Sequence, residues 1–410
     1  MIFLIGILGL SCLSTGIFKQ QDQTLAQQYI QTIKHRNLVI DLGNGLKTNA
    51  QLTYPANGKG PFPGVLLIQG AGAITANPAI APYLSERGFA VLQFDKRGTI
   101  GANVTNTKPV QPVLDANVWG NTTVNDLTHD AEKALNILSL QPEVDPKRIS
   151  IIGHSDGTFY TPRIAIDNST KVKNIVLMGI VAQNFRDIVY YQYVNLPLEY
   201  ATQVLDKNHT GLIPIQQIAK VPFLIRDIVP RSISQSNNTK AITNTLTKEF
   251  GTNGYVSIDR QLKPSLIKGY ENATSLKWLN SKCNDAGGCA KWAHSEFNAE
   301  PVLSIIGNVS KSTGILLLNG ENDSQTPVQQ AFLLQQRLTD VNHTDHTLIT
   351  YPNLGHVFYP SSQWSTGFGP FEEYVLADIY AWLEAHSGVS HPYIAAPTST
   401  LANTNSSSKR

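Results

Sequence analysis

A serine between two glycines is the first feature of this sequence that could do chemistry. Ser155 lies in GHSDG at 153–157, after the apolar run 149–152 and before a segment that can open a helix. A strand, a sharp turn and a helix are the setting of a nucleophile elbow, where flanking glycines relieve crowding. The pattern also arises by chance from ordinary turn residues. Ser155 is therefore a candidate nucleophile that needs a base, an acid and oxyanion donors elsewhere.

An acid and a base follow the serine in the chain. Asp323 comes after the apolar segment ILLLNG, and His356 comes after LITYPNLG. The order serine, aspartate, histidine is the one found in α/β-type serine hydrolases. His356 would take the serine proton, and Asp323 would hold the imidazole in the required tautomer. Glu321 is the alternative acid, and two weaker base candidates, His343 and His346, precede the last strand.

Backbone N–H groups are needed to stabilise the negative charge that develops on a carbonyl oxygen. One donor should be the amide of Asp156, directly after the nucleophile. The other should come from the glycine-containing loop QGAG at 69–72, which follows the apolar segment VLLI. The amide of Ala71 is the expected second donor.

The surrounding elements alternate between apolar strands and amphipathic helices. Strands that are apolar throughout are typical of a mostly parallel sheet covered on both faces. The sequence therefore predicts an α/β fold, a doubly wound sheet of the α/β-hydrolase type. Ligands of such sheets bind at the carboxyl ends of the strands, which is where the candidate residues occur.

Composition and the two chain ends narrow the class of protein. The chain has 410 residues, 41% of them hydrophobic, and a net charge of +2 without a basic or acidic block, which disfavours a nucleic-acid partner. The apolar start indicates a signal peptide or signal anchor over residues 1–20, and thus a secreted or surface-anchored protein. The tail, 387–410, is rich in Ser, Thr and Asn and is expected to be disordered.

Two cysteines suggest an oxidising compartment. Cys283 and Cys289 are separated by five residues, a spacing that suits a small disulfide loop. Two free thiols are the alternative. A metal site is disfavoured because only His294 lies nearby and there is no second cysteine pair.

About 168 residues separate the serine from the aspartate, more than one strand and its helices require. We predict that residues 185–299, called the insertion below, form a mostly helical cap over the active site. Its aromatic residues could line a pocket, although core packing is the commoner use; they are Tyr190, Tyr191, Tyr193, Trp278 and Trp292.

One stretch of the insertion resembles a calcium-binding EF-hand loop. In DKNHTGLIPIQQ the ligands would be Asp206, Asn208, Thr210, the carbonyl of Leu212 and Gln217. The last position carries Gln in place of the usual bidentate Glu. A simple Asx turn before a helix is the alternative. A fainter trace of the same pattern occurs at Glu249–Arg260.

These residues together resemble the α/β-hydrolase superfamily over about 35–184 and 300–386. The sequence DKRG at 95–98 and the lead-in DPKRI at 145–149 are similar to the esterase-like, prolyl-oligopeptidase-type branch. The resemblance implies the triad Ser155, Asp323 and His356. Gln69 stands where the family often has His, and Thr158 stands where many members have a second glycine.

The expected activity is hydrolysis of small-molecule or acyl carboxylic esters through an acyl-enzyme, without a required cofactor. A peptidase or thioesterase with the same triad is the first alternative. A non-catalytic surface protein with a hydrolase fold is the second. Membrane contact is expected only through an N-terminal anchor.

Overall fold

The computed structural model describes residues 33–72, 79–100, 104–105, 113–236, 238–275 and 290–389. Its strands are β1 (Ile33–Gly43), β2 (Leu46–Pro55), β3 (Phe62–Ile68), β4 (Ala90–Phe94), β5 (Thr99–Ile100), β6 (Val113–Leu114), β7 (Val144–His154), β8 (Val172–Met178), β9 (Leu212–Pro214), β10 (Tyr255–Ser257), β11 (Gly314–Gly320) and β12 (His346–Tyr351). Eight of these form the central sheet in the order β1-β2-β4-β3-β7-β8-β11-β12. The strands from β4 to β12 in this order run parallel, and β1 and β2 form an antiparallel hairpin at the edge.

The α-helices are α1 (Ile80–Ser85), α2 (Ala116–Gly120), α3 (Val124–Ser139), α4 (Gly157–Asp167), α5 (Phe185–Tyr190), α6 (Leu196–Tyr200), α7 (Ile215–Ile218), α8 (Pro222–Ile225), α9 (Arg231–Ser234), α10 (Thr239–Phe250), α11 (Lys263–Ala273), α12 (Ala290–Asn298), α13 (Val302–Ile305), α14 (Gln329–Asp340) and α15 (Glu373–Ser387). Most of the long helices were predicted from the helical spacing of their apolar residues. Helix α3 begins at a capping box in which Thr123 and Asp126 each bond the other's backbone N–H.

Alternate residues of the parallel strands face opposite layers of the core, as the two-residue period of a strand requires. Leu66 and Ile151 belong to the larger apolar cluster, together with residues of α3, α4 and α14. Val65 and Ile152 belong to the second cluster, together with residues of α1 and α15. The sheet is thus covered on both faces, and the predicted α/β architecture is confirmed.

The described parts of the insertion, 185–236, 238–275 and 290–299, contain short helices, three π-helical segments and one small sheet. The π-helical segments are Tyr191–Asn195, Ala201–Leu205 and Ile258–Leu262. The prediction of a mostly helical insertion did not include the small sheet, in which β9 pairs with β10.

Candidate active site

The nucleophile elbow has the backbone strain that such a turn requires. Ser155 has φ of 55°, in the left-handed region that a side chain with a Cβ rarely adopts. A Cβ at Gly157 would collide with the carbonyl oxygen of Ile68, and one at Gly153 with the hydroxyl of Thr161. The glycines on both sides of Ser155 are therefore required by close approach to the neighbouring strand and helix.

The serine, the histidine and the aspartate lie in one chain of hydrogen bonds. The Nε2 atom of His356 is 2.7 Å from Oγ of Ser155. Its Nδ1 atom is 2.8 Å from Oδ2 of Asp323. Both His356 and Asp323 are buried, at 3% exposure each. This geometry lets Nδ1 carry the proton and leaves Nε2 free to accept one from the serine.

Asp323 is held by its own loop. Its Oδ1 atom accepts hydrogen bonds from the backbone N–H groups of Gln325 (2.8 Å) and Thr326 (2.9 Å). The hydroxyl of Thr326 donates to Oδ2 at 2.9 Å and lies 3.1 Å from Nδ1 of His356. Thr326 was missed in the sequence, although a hydroxyl residue three positions after an aspartate is a known turn signal.

His154, the residue before Ser155, supports His356. Its Nε2–H donates to the carbonyl of His356 at 2.9 Å, and the two rings lie 5.1 Å apart. Burial, together with the neighbouring His356, lowers the pKa of His154 to about 4. His154 is therefore neutral at physiological pH and fixes the loop that carries His356.

The loop after β3 lies directly against the nucleophile. A Cβ at Gly70 would be 3.0 Å from Cβ of Ser155, so this backbone can approach only because the residue is glycine. Gln69 holds the loop to β4 by donating from Nε2 to the carbonyl of Phe94 at 2.5 Å. In the described part of the chain, the amides of Ala71 and Asp156 donate no backbone hydrogen bond. Both amides are thus available as the expected oxyanion donors.

Thr158, the second departure from the family pattern, has a structural use. Its hydroxyl donates to the carbonyl of Ser155 at 2.6 Å and accepts from the N–H of Val181 at 3.0 Å. The residue therefore ties the elbow to the loop that follows β8.

The alternative acid and bases lie outside this chain of hydrogen bonds. Glu321 accepts from the hydroxyl of Thr350 at 2.8 Å at an exposed position. His343 lies near the carbonyl of Ser310, and His346 near that of His343. Neither histidine is bonded to the serine.

The insertion contacts the acid loop. Gln192 donates from Nε2 to the carbonyl of Gln325 at 2.7 Å. Burial raises the pKa of Tyr191, and the charges of Glu199 and Asp323 raise it further. Tyr191 is therefore close enough to Asp323 for the carboxylate charge to act on its hydroxyl.

The other aromatic residues named for a pocket mostly pack within the fold. Tyr190 makes an edge contact with Tyr270, and Tyr193 is covered by the guanidinium of Arg226. Trp292 packs against Trp119 at a centroid distance of 5.5 Å. Trp278 lies outside the described residues.

The EF-hand-like loop uses its aspartate internally. Asp206 accepts from the N–H and hydroxyl of Thr210 with Oδ1 and from the N–H of Gly211 with Oδ2. These hydrogen bonds lower the pKa of Asp206, the bond from Thr210 most of all. They reach the fourth and fifth residues after Asp206, beyond the second residue that an Asx turn bonds, so neither interpretation of this loop is settled by them.

The second, fainter EF-hand-like stretch pairs with the first through one short strand from each. Ile213 pairs with Val256 between β9 and β10, and these are the eighth positions of the two twelve-residue stretches. Within the described ranges, the side chains of Asn208 and Gln217 form no hydrogen bond with Asp206. The carbonyl of Leu212 is 3.4 Å from the hydroxyl of Thr210. Across the described residues, no three His, Cys, Asp or Glu side chains cluster as a metal site would require.

Several predictions concern residues outside the described ranges. These are the N-terminal segment 1–20, the pair Cys283 and Cys289, and the tail from 390 onward. Within the ranges that the structure covers, no helix is long and apolar enough to cross a membrane.

The sheet order, the elbow at the end of β7 and the residues after β11 and β12 define an α/β-hydrolase. Residues 266–390 match the model of the prolyl oligopeptidase family, a range that includes Asp323 and His356 and begins after Ser155. Esterase EstD of Thermotoga maritima is 27% identical over 57% of this chain and 56% of its own length. The chain thus spans about half the length of this curated relative.

A solved structure has the same fold. The acylaminoacyl peptidase of Pyrococcus horikoshii is 12% identical, with a TM-score of 0.51 over 91% of this chain and 45% of that one. The chain thus has the α/β-hydrolase fold, and it is similar to the prolyl oligopeptidase family over residues 266–390 and to an esterase over 57% of its length.

Proposed function

We propose that this protein hydrolyses carboxylic esters with Ser155 as nucleophile, His356 as general base and Asp323 as the acid that orients it. The observation that carries the proposal is the continuous hydrogen-bonded chain Ser155–His356–Asp323, with distances of 2.7 and 2.8 Å. The similarity to an esterase over 57% of the chain supports an ester substrate.

The reaction needs only groups of this chain and water. Oγ of Ser155 attacks the carbonyl carbon while its proton passes to Nε2 of His356. The amides of Ala71 and Asp156 stabilise the oxyanion of the tetrahedral intermediate. His356 then gives the proton to the leaving alcohol, and the acyl-enzyme forms. Water, deprotonated by His356, attacks the acyl-enzyme and releases the acid.

The insertion would act as a cap that selects substrates. Gln192 and Tyr191 approach the loop that carries Asp323, which supports a role for this segment beside the catalytic centre. The boundaries 185–299 for the cap, 35–184 and 300–386 for the core, stay a prediction.

A peptidase is the second candidate function. The match of residues 266–390 to the prolyl oligopeptidase family favours it. A thioesterase would use the same triad, whereas a non-catalytic surface protein would not need the bonded triad at all. A panel of matched p-nitrophenyl esters, p-nitroanilides and thioesters separates these activities by kcat/KM.

The decisive experiment compares wild type with Ser155→Ala on p-nitrophenyl esters. Loss of the nucleophile should lower kcat on the order of 10⁴–10⁶-fold, because the remaining groups only bind and polarise the ester. His343→Gln is the matched control, since His343 is also buried but lies away from the serine, and it should keep kcat within about threefold. Equal rates for wild type and Ser155→Ala would overturn the assignment.

Labelling gives a test that does not depend on the choice of ester. A fluorophosphonate probe should label wild type and leave Ser155→Ala unlabelled. Absence of labelling in wild type would favour the non-catalytic alternative.

Two further predictions from the sequence rest on separate measurements. Secretion or surface anchoring is tested by locating the protein with and without residues 1–20. Calcium binding at Asp206–Gln217 is tested by comparing Tm in calcium chloride and in EDTA, with Asp206→Asn as the matched variant.

A further inference from the structure

A buried lysine lies directly behind the site. Lys96 is the second residue of the DKRG sequence that follows β4, and it is only 5% exposed. Its Nζ atom donates to the carbonyl of Gly70 at 2.8 Å and to Oδ2 of Asp156 at 2.8 Å. The ammonium also lies 5.4 Å from the ring centroid of Trp119. Burying an ammonium group costs free energy unless ion pairing and hydrogen bonds compensate for the lost water, so the position of Lys96 needs an explanation.

The two groups that Lys96 holds belong to the two expected oxyanion donors. The carbonyl of Gly70 and the N–H of Ala71 are parts of one planar peptide unit. Fixing the oxygen of that unit therefore fixes the direction of its N–H. Asp156 supplies the other N–H, and its side chain is anchored by the same ammonium.

We propose that Lys96 is a positioning residue for the oxyanion hole, holding the Gly70–Ala71 peptide and Asp156 so that both N–H groups point at one place beside Ser155. A cation bonded to the peptide carbonyl also polarises the N–H on the other side of that peptide, which strengthens its donation. The proposal rests on the proposed function, because it concerns the stabilisation of the charge formed there.

A second carboxyl group joins this network from the insertion. Glu296 of α12 is fully buried and accepts from the hydroxyl of Tyr160 at 2.6 Å. Burial raises the pKa of Glu296 well above its usual range, and the neighbouring Asp156 carboxylate raises it further. Among the described residues, Oδ1 of Asp156 and Oε2 of Glu296 have no other hydrogen-bond partner. A proton on Glu296 that is donated to Asp156 would satisfy both of these buried oxygens.

The test must separate positioning from stability. Lys96→Met removes the ammonium but leaves the buried Asp156 carboxylate unpaired, which itself destabilises the fold. The double variant Lys96→Met with Asp156→Asn removes that charge while it keeps the backbone N–H of residue 156. It should regain much of the lost Tm.

The neighbouring residue offers a matched control. Arg97 bonds Oδ1 and Oδ2 of the buried Asp130 at 2.6 Å and makes no bond to Gly70 or Asp156 among the described contacts. Arg97→Met with Asp130→Asn therefore removes a similar buried ion pair, one residue further along the chain, and also the pairing of Arg97 with the partly exposed Asp126. It should keep kcat within about threefold of wild type.

The Lys96→Met, Asp156→Asn variant should lose about 10–100-fold in kcat, with KM changed by less than about threefold. This loss is smaller than removal of a donor, because both N–H groups remain. The pH at which activity is half-maximal should stay at the wild-type value, since the base is His356. Lys96→Arg, which keeps a cation, should recover part of kcat.

Three results would overturn the proposal: full recovery of kcat together with Tm in the double variant, an equal loss in the Arg97 control, or a shifted pH profile with unchanged maximal kcat. The rate of inactivation by a fluorophosphonate is measured in parallel, because its phosphoryl oxygen occupies the same place. If wild type reacts with this probe but hydrolyses no ester, the ester proposal fails and the inactivation rates still decide the role of Lys96. If wild type does not react at all, both proposals fail.

Discussion

The carboxyl edge of the central sheet and the insertion are built in different ways. Every residue of β11 is buried, and the loops after β7, β11 and β12 are fixed by bonds such as those that hold Asp323. The insertion instead consists of helices as short as four residues joined by π-helical segments. A rigid parallel sheet can hold reacting groups within a fraction of an ångström, whereas a set of short helices tolerates change. Catalysis is therefore expected to depend on the first region and substrate choice on the second.

After Ser155→Ala, the largest effect should come from a change of Asp323, the proposed acid at the edge of the sheet. Asp323→Asn keeps the shape of the side chain but favours the wrong tautomer of His356. We expect kcat to fall on the order of 10³–10⁴-fold, measured on p-nitrophenyl esters. Glu321→Gln is the matched control, because this exposed carboxylate bonds only Thr350 among the described contacts, and it should change kcat by less than about threefold. A large loss of kcat in Glu321→Gln would mean that Glu321, and not Asp323, is the acid of the triad.

Two glycines, one at the sheet edge and one in the insertion, test how tightly each of these regions is packed. Gly157→Ala should destabilise the protein by about 3 kcal/mol or more, because the added Cβ meets the backbone carbonyl of Ile68. Gly254→Ala in the insertion should change the free energy of unfolding by less than about 1 kcal/mol, since only Thr252 comes within 4.0 Å of the new Cβ. Urea unfolding measures both. Equal destabilisation would mean that the insertion is as tightly packed as the elbow.

The same contrast explains what the sequence could predict. Strands such as β8 and β11 are mostly apolar, and the residues of the proposed triad follow within five residues of the ends of β7, β11 and β12. The spacing of apolar residues and the positions of turn residues were therefore enough to predict the sheet, the triad and the loop at Gly70. The catalytic roles themselves stay predictions until the variants are measured.

Residues that act across long sequence distances were not predicted. Glu296 is buried beside Asp156 through a contact that no local pattern encodes, although a glutamate among the buried Trp292, Ala293 and Phe297 was a signal. Lys96 was noted only as part of a family motif. The pairing of β9 with β10 depends on tertiary packing, since strands of three residues carry no period of their own.

Packing in the insertion should matter for stability more than for the chemical step. Ile213 is fully buried in β9. Ile213→Ala should lower the free energy of unfolding by about 2–4 kcal/mol, because it leaves a cavity. The kcat for p-nitrophenyl acetate should stay within about threefold, as this small ester needs little of the insertion. A loss of kcat beyond about tenfold at a temperature where the variant is folded would show that the insertion is part of the catalytic frame.

Glu296 belongs to the insertion and lies beside Asp156 at the edge of the central sheet. Its titration should change the free energy of unfolding of the whole protein. The folded state keeps the proton of Glu296, whereas the unfolded chain releases it above an ordinary pKa of 4.5. Above about pH 5 the unfolded state therefore binds fewer protons, and wild-type stability falls as pH rises, by at most about 1.4 kcal/mol per pH unit from this group.

Glu296→Gln removes this titration and can still accept from Tyr160 and donate to Asp156. The free energy of unfolding of Glu296→Gln relative to wild type should therefore become more favourable between about pH 5 and pH 8, measured by urea unfolding at several pH values. Glu300→Gln, at an exposed position four residues further on, should show a constant difference. A difference for Glu296→Gln that does not change with pH would mean that the folded state also releases this proton, and that Asp156 and Glu296 do not share one.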